Sequence, residues 1–247
     1  MKFIFGGVSS CGAVRTVNQD RIGMLCEENK GLFFVADGMG GHRDGSLASD
    51  AILTQLSSWW TVQKAQREEQ SFTDAVESVK QELSRINHHI WYTYNQGQVC
   101  GSTVVILYIQ NNKYAVISAG DSRIYHLKKK KIHQLTIDDV WENQPDVQNR
   151  FSPENIAKSP NRGKLVRAIG VRQTVGIRLF TDEISKKESF LLCSDGLYRA
   201  CSEEFMQREL LSVKNDKSLN KALQSLEKQV YWNGAPDNVS VILVKVK

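Results

Sequence analysis

Apolar and polar positions recur along this chain in two periods, and the change from one to the other predicts where strands give way to helices. Leu32, Phe33, Phe34, Val35 and Ala36 form an unbroken apolar run that reads as a buried strand. It ends in Asp37-Gly38-Met39-Gly40-Gly41-His42, a glycine-rich loop headed by an acidic side chain. Ahead of it, Lys2 to Val8 and Ile22 to Cys26 are strand-like, with Glu27 to Gly31 as a polar hairpin turn. After the loop the spacing predicts a helix from Gly45 to about Arg67, with Ala48, Ile52, Leu56 and Trp59/Trp60 inward. A second helix is predicted over Ser71 to Tyr94, where Phe72, Val76, Val79, Leu83, Ile86 and Ile90 fall on one face.

The second half is mainly strand-like. Gly101 to Ile109 and Lys113 to Ala119 predict a hairpin, and Ser122 to Leu127 with Ile132 to Leu135 predict another that turns on Lys128 to Lys131. Four consecutive lysines fit a solvated tip that discourages edge pairing better than a phosphate contact. Strands are predicted at Val175 to Phe180, Ser189 to Cys193 and Val239 to Val246, and helices at Ser202 to Val213 and Ser218 to Tyr231. Residues 138–164 carry Pro145, Pro153 and Pro160 and no clear period, which predicts a functional loop or lid.

Composition narrows the class without naming an activity. The chain has 247 residues, 41% hydrophobic and 24% charged, an ordinary globular mix. A net charge of +5 is too small and dispersed to argue for nucleic acid. Cys11, Cys26, Cys100, Cys193 and Cys201 show no CxxC or Cys/His spacing, so they read as reduced thiols of a cytoplasmic protein. No apolar run is long enough to predict a membrane span, and the apolar part of MKFIFGGVSSCG is too short for a signal peptide. The glycines fit neither GxGxxG nor GxxxxGK[ST], and no CxxxxxR thiol-phosphatase loop occurs.

An Asp delivered by a strand to a glycine turn suits a hard divalent cation, although an ordinary strand-turn-helix with a capping Asp has the same pattern. ADGMGGH resembles the metal-binding turn of the PP2C-type (PPM) serine/threonine phosphatases in their bacterial form. Further elements follow the family order: RTVNQD is similar to R-x-x-N-x-D, and AGDSR, SDGL and the terminal PDN of PDNVSVILVKV match as well. LVRAIG is similar to L-T-R-A-L-G, with Val166 for the usual Thr, and Thr136-Ile137-Asp138-Asp139 stands where the family often has T-x-D-H. The resemblance runs from about Gly7 to Val246.

The resemblance implies an α+β fold, a four-layer α/β/β/α sandwich with two antiparallel sheets face to face and helices outside. Residues 1–247 would be a single catalytic domain with a flap at about 138–164. It implies hydrolysis of phosphoserine and phosphothreonine at a binuclear centre of Mn²⁺ or Mg²⁺, since the positions matched to the metal in the three Asp elements are oxygen donors, not His or Cys. Asp37, Gly38, Asp195 and Asp237 would serve the two ions, with Asp37 bridging, and Asp121 matches a ligand of an additional, weaker site. Water between the ions would be the nucleophile, so no phosphoenzyme is expected. Arg15 would hold the phosphate, and Asp20 would accept hydrogen bonds from metal-bound waters. His42 is the candidate general acid, a purely structural His capping the glycine loop being the alternative.

The implied partners are phosphorylated Ser/Thr proteins, including those of an opposing Ser/Thr kinase, with no nucleic acid, no membrane and a monomeric state. Two rival readings remain from the sequence: a phosphoprotein-binding pseudophosphatase, and a metallohydrolase of small phosphoesters. The first is weakened by the presence of all three metal carboxylates, and the second is kept open by the departures in the flap.

Overall fold

The computed structural model describes residues 2–40, 44–65, 70–95 and 99–247. Strands β1 (Phe3–Ser10), β2 (Asp20–Cys26) and β3 (Lys30–Gly40) lead into helices α1 (Asp44–Ala65) and α2 (Phe72–Tyr94). Then come β4 (Cys100–Ser102), β5 (Val104–Gln110), β6 (Lys113–Ala119), β7 (Arg123–Lys128) and β8 (Lys131–Gln134). Two short helices, α3 (Pro145–Arg150) and α4 (Pro153–Lys158), precede β9 (Arg178–Glu183) and β10 (Ser189–Cys193). The chain finishes with α5 (Asp195–Tyr198), α6 (Glu203–Ser212), α7 (Asp216–Trp232) and β11 (Val239–Val246).

The strands form two antiparallel sheets, ordered β1-β11-β10-β7-β8 and β2-β3-β5-β6-β9, with β4 paired to β3. Side-chain alternation sorts each strand between two apolar layers. Phe33 and Val35 of β3 meet Phe190, Leu192, Ile242 and Val244 between the sheets. Leu32, Phe34 and Ala36 of the same strand face the helices, against Ile52, Leu56, Val79, Leu83 and Ile86. On the other side α6 and α7 bury Met206, Leu210, Leu219, Leu226 and Val230 against Leu191, Val241 and Leu243. The order of layers is therefore helix, sheet, sheet, helix. No helix among the described residues is long and apolar enough to cross a membrane.

The helices begin where their caps dictate. Ser71, Ser202 and Asn215 each accept a backbone N–H in the first turn of α2, α6 and α7, and Asn215 closes a reciprocal capping box with Ser218. The lysine hairpin turns on Lys129 and Lys130, which have φ of 51° and 65°, while Lys128 and Lys131 pair across it.

Four expectations change in detail. The apolar run does not end at Asp37: β3 continues through Gly38, Met39 and Gly40, which pair with Ser102, Gly101 and Cys100. Glycine is required at Gly38, because a Cβ there would collide with the Gly45 carbonyl and lie 2.8 Å from that of Gln19. The strand expected at Val175 to Phe180 starts only at Arg178, where pairing with Ser118 of β6 begins. Asp195-Gly196 opens the short helix α5 in place of a simple glycine turn.

The fourth change concerns residues 138–164, which hold α3, α4 and a 3₁₀ turn at Trp141–Asn143. Pro145 and Pro153 each sit in a first helical turn, where a missing N–H is harmless. The segment is tied down at its base by a Val140–Leu165 bridge and by Asp139. Asp139 is fully buried, accepts from Arg167 at 2.7 Å and Arg178 at 2.8 Å, and takes the Gly120 N–H at 3.2 Å. Asp138 grips Arg123 at 2.7 Å. Both residues of the Asp138-Asp139 pair are thus structural anchors of this segment.

Candidate metal centre

The topology brings carboxylates from remote parts of the chain to one end of the sandwich. Asp37 lies on β3, Asp121 in the turn between β6 and β7, Asp195 two residues after β10 at the start of α5, and Asp237 two residues before β11. All four line a cavity of about 250 Å³, together with Arg15, Gln19, Gly38, Thr103, Arg199 and Asn238. Asp20 stands beneath them, 1% exposed and directly opposite Asp37 in the β2–β3 register. Of the sequence-predicted residues, His42 lies outside the described residues.

So many like charges in one place leave a clear electrostatic mark. Burial and the charges of Asp20 and Asp195 push the Asp37 carboxyl well above its ordinary value. Burial raises Asp20 to about 6 against the opposing hydrogen bond from Ser194. Burial and the charge of Asp195 raise Asp121 to about 6 as well. Asp195 is raised by burial, with Arg199 pulling the other way. Two guanidinium groups offset part of this charge: Arg15 lies 2.9 Å from Asp237, and Arg199 lies 2.9 Å from Asp195.

These donors suit a hard divalent cation. All are oxygens, which Mg²⁺, Mn²⁺ and Ca²⁺ prefer, and the mutual repulsion of the carboxylates is what such an ion would relieve. One buried acceptor is also left over: Asp20 Oδ2 accepts from Ser194 at 2.7 Å, while Asp20 Oδ1 has no partner. Among the described residues no three His, Cys, Asp or Glu side chains stand close enough to hold one ion unaided. The carboxylates ring the cavity at wider spacing, which leaves coordination positions to water, as Mg²⁺ sites commonly do.

The inner walls are set by hydrogen bonds. The Asp37 N–H donates to Thr103 Oγ1 at 3.2 Å, and the Thr103 N–H donates to the Asp37 carbonyl at 2.9 Å. Thr103 is fixed in turn by Ser122 at 2.7 Å. Ser194, which holds Asp20, also takes the Ser240 N–H at 3.0 Å, so the floor of the cavity joins both sheets.

Two cavity residues escape a reading of the sequence for chemistry. Asn238 is nearly buried, and its amide donates to the carbonyls of Cys11 and Val17, both at 3.0 Å. Its Oδ1 accepts the Gln19 N–H at 2.8 Å, so it ties the loop that carries Arg15 to the strand end that carries Asp237. Its place beside Asp237 was the available signal. Arg199 is the second, and its signal was a position four residues after Asp195, which one helical turn brings together. His88 and His89 are exposed on α2 and take no part.

Comparison with known proteins identifies the family. A family model described as protein phosphatase 2C matches residues 9–231. The serine/threonine phosphatase stp of Listeria welshimeri is 29% identical over 242 residues, covering 95% of this chain and 92% of that protein. Among solved structures, the Mycobacterium tuberculosis serine/threonine phosphatase PstP/Ppp superposes with a TM-score of 0.81 at 25% identity, over 99% of both chains. A catalytic domain of PstP in complex with two manganese ions superposes with a TM-score of 0.76 at 25% identity, over 99% of this chain and 98% of that one.

Proposed function

The chain belongs to the protein phosphatase 2C family and is a serine/threonine phosphatase, and from that premise we propose that it removes phosphate from phosphoserine and phosphothreonine of proteins at the Asp37–Asp195–Asp237 cavity. The observation that carries this reading is the ring of four carboxylates around one small cavity, flanked by Arg15, with the carboxyls of Asp37, Asp121 and Asp195 raised by burial. Asp37, with the Gly38 carbonyl, Asp195 and Asp237, would hold two ions, Mn²⁺ or Mg²⁺. Bound there, such ions acidify water to a nucleophile at neutral pH and offset charge on phosphoryl oxygens.

The protein's own groups do the rest. Arg15 is 56% exposed at the cavity mouth, so its guanidinium can donate to phosphoryl oxygens while Asp237 fixes one of its nitrogens. Asp20, with its unpartnered Oδ1, would accept a hydrogen bond from water held beside Asp37. His42 is assigned the transfer of a proton to the departing serine or threonine oxygen. Residues 138–164 form the flap of a single catalytic domain spanning 1–247, anchored through Asp139. The substrates are phosphoproteins, those of a Ser/Thr kinase included, and the protein works as a cytoplasmic monomer.

The test is phosphate release from a phosphothreonine peptide with Mn²⁺ and then with excess EDTA. Turnover that requires the ion and disappears on chelation is the expected result. Turnover that survives exhaustive chelation overturns the assignment of the cavity.

A further inference from the structure

The cavity contains a cation of the protein's own. Arg199 Nη2 lies 2.9 Å from Asp195 Oδ2 and 3.7 Å from Asp121 Oδ2, so one guanidinium spans two carboxylates that would otherwise repel. Its neighbour Tyr198 donates its hydroxyl to the same Asp121 oxygen at 3.3 Å. Asp121 thus meets a hydrogen bond and an ion pair from consecutive residues at the end of α5.

The arrangement is braced from behind. The Tyr198 ring lies under the Arg123 guanidinium, 3.6 Å from its centroid, and Asp138 grips that guanidinium through both oxygens. The Arg199 N–H donates to the Asp195 carbonyl at 3.0 Å, which fixes the backbone from which the side chain returns to the Asp195 carboxylate. A guanidinium stays charged throughout the working pH range, so it is a permanent cation that no chelator removes.

By resemblance, Asp121 belongs to an additional, weaker cation site. We propose that in this chain Arg199 takes the place of that cation between Asp121 and Asp195, so that the centre is complete with two divalent ions and excludes a third. This rests on the two-ion reading given above. Arg199 is 57% exposed and packs into no core, so its removal leaves the fold in place and frees both carboxylates for an ion.

The experiment counts bound Mn²⁺ by electron paramagnetic resonance of the free ion across a titration, for the wild type, R199A, the near-isosteric R199Q and R199A/D121N. The wild type is expected to bind two ions. R199A and R199Q should each bind a third, at least about tenfold tighter than any further binding to the wild type, because a fixed positive charge a few ångströms away is gone. The third ion should be lost again in R199A/D121N. Two ions in every form, or three in the wild type, would overturn the inference and leave the metal centre standing. No binding in any form, with circular dichroism showing all four folded, would overturn the metal centre and the inference together.

Discussion

Asp20 and Asp37 face each other directly across the β2–β3 ladder, two acidic side chains stacked one beneath the other at the floor of the cavity. Opposed like charges weaken a sheet. Asp20 is held by Ser194 on one oxygen and is bare on the other. The pair makes sense only as half of a structure completed by positive charge, and its cost should be visible whenever that charge is withheld.

A pH dependence follows for the metal-free protein. Burial lifts Asp20 from an ordinary 3.8 to about 6, and burial with Asp195 does the same to Asp121. A carboxyl raised in the folded state contributes its stability in full below its unfolded value and loses it as pH climbs through the folded one. Metal-free protein should therefore lose stability to urea between about pH 4 and pH 6, by the linkage of these groups. Asp20→Asn should flatten that slope and raise metal-free stability at pH 7, since its amide can donate toward Asp37. Added Mn²⁺ should raise Tm more at pH 7 than at pH 5. A variant no more stable than wild type at pH 7 would contradict this account of Asp20.

Removing a carboxylate from the cavity itself should separate function from folding. Asp37→Asn and Asp195→Asn keep size and polarity, so circular dichroism should stay close to wild type, and metal-free Tm at pH 7 should be no lower, since each removes a buried like charge. Turnover of a phosphothreonine peptide should fall by at least about 10²–10³-fold, the scale seen when one electrostatic partner of a transition state is lost. Retained activity in both variants would remove these residues from the site.

Arg15 and Asn238 should fail in the same way for different reasons. Arg15→Ala removes a charge-assisted contact worth about 1.5–3 kcal/mol, so KM for a phosphopeptide should rise about 10–100-fold with a smaller change in kcat. Asn238→Ala leaves Arg15 intact but releases the 11–19 loop from its three hydrogen bonds. Its KM should rise too, and exchange of the Gln19 amide hydrogen should accelerate, which Arg15→Ala would not cause. An unchanged KM in Asn238→Ala would show that the loop holds Arg15 without it.

The role assigned to His42 can be read from the leaving group. A general acid matters for a serine or threonine alkoxide and little for a nitrophenolate, which departs unaided. His42→Gln should lower kcat for phosphothreonine peptide by about 10²-fold or more and barely touch turnover of p-nitrophenyl phosphate. Equal losses on both substrates would favour a structural His.

The legibility of this protein in its sequence follows the range of the forces involved. The buried face of α2 could be read position by position, because Val76, Val79, Leu83, Ile86 and Ile90 repeat a helical period over 23 residues. The apolar run of β3 was equally plain, yet its continuation through Gly38-Met39-Gly40 was not. Glycines carry no pattern, and the strand they form depends on Cys100–Ser102, far along the chain. Asp37, Asp195 and Asp237 stood out because each adjoins glycine or asparagine and is preceded or followed by an apolar run. Arg199 and Asn238 did not, since their importance lies in partners fixed by tertiary packing. Asp139 is the same case: two adjacent acids in a proline-rich stretch look like a solvated loop, and only the fold buries one of them.

That burial supports a last prediction. Asp139 is fully enclosed between Arg167 and Arg178, and its backbone carbonyl also takes the Val166 N–H at 2.8 Å. Losing a partner of a fully buried ion pair costs about 3–5 kcal/mol, but Arg167 and Arg178 are 29% and 37% exposed and can turn to water. Asp139→Ala should therefore lower stability by about 1–3 kcal/mol, the scale of an unsatisfied buried group. The damage should be local. Residues 140–165 lean on this anchor, while the Asp37–Asp195–Asp237 cavity is built on other strands. Limited proteolysis should cut this segment sooner in the variant. Turnover of a phosphothreonine peptide should drop more than turnover of p-nitrophenyl phosphate, which needs no flap. Parallel losses on both substrates would mean that Asp139 supports the cavity directly, through the Gly120 N–H and the neighbouring Asp121.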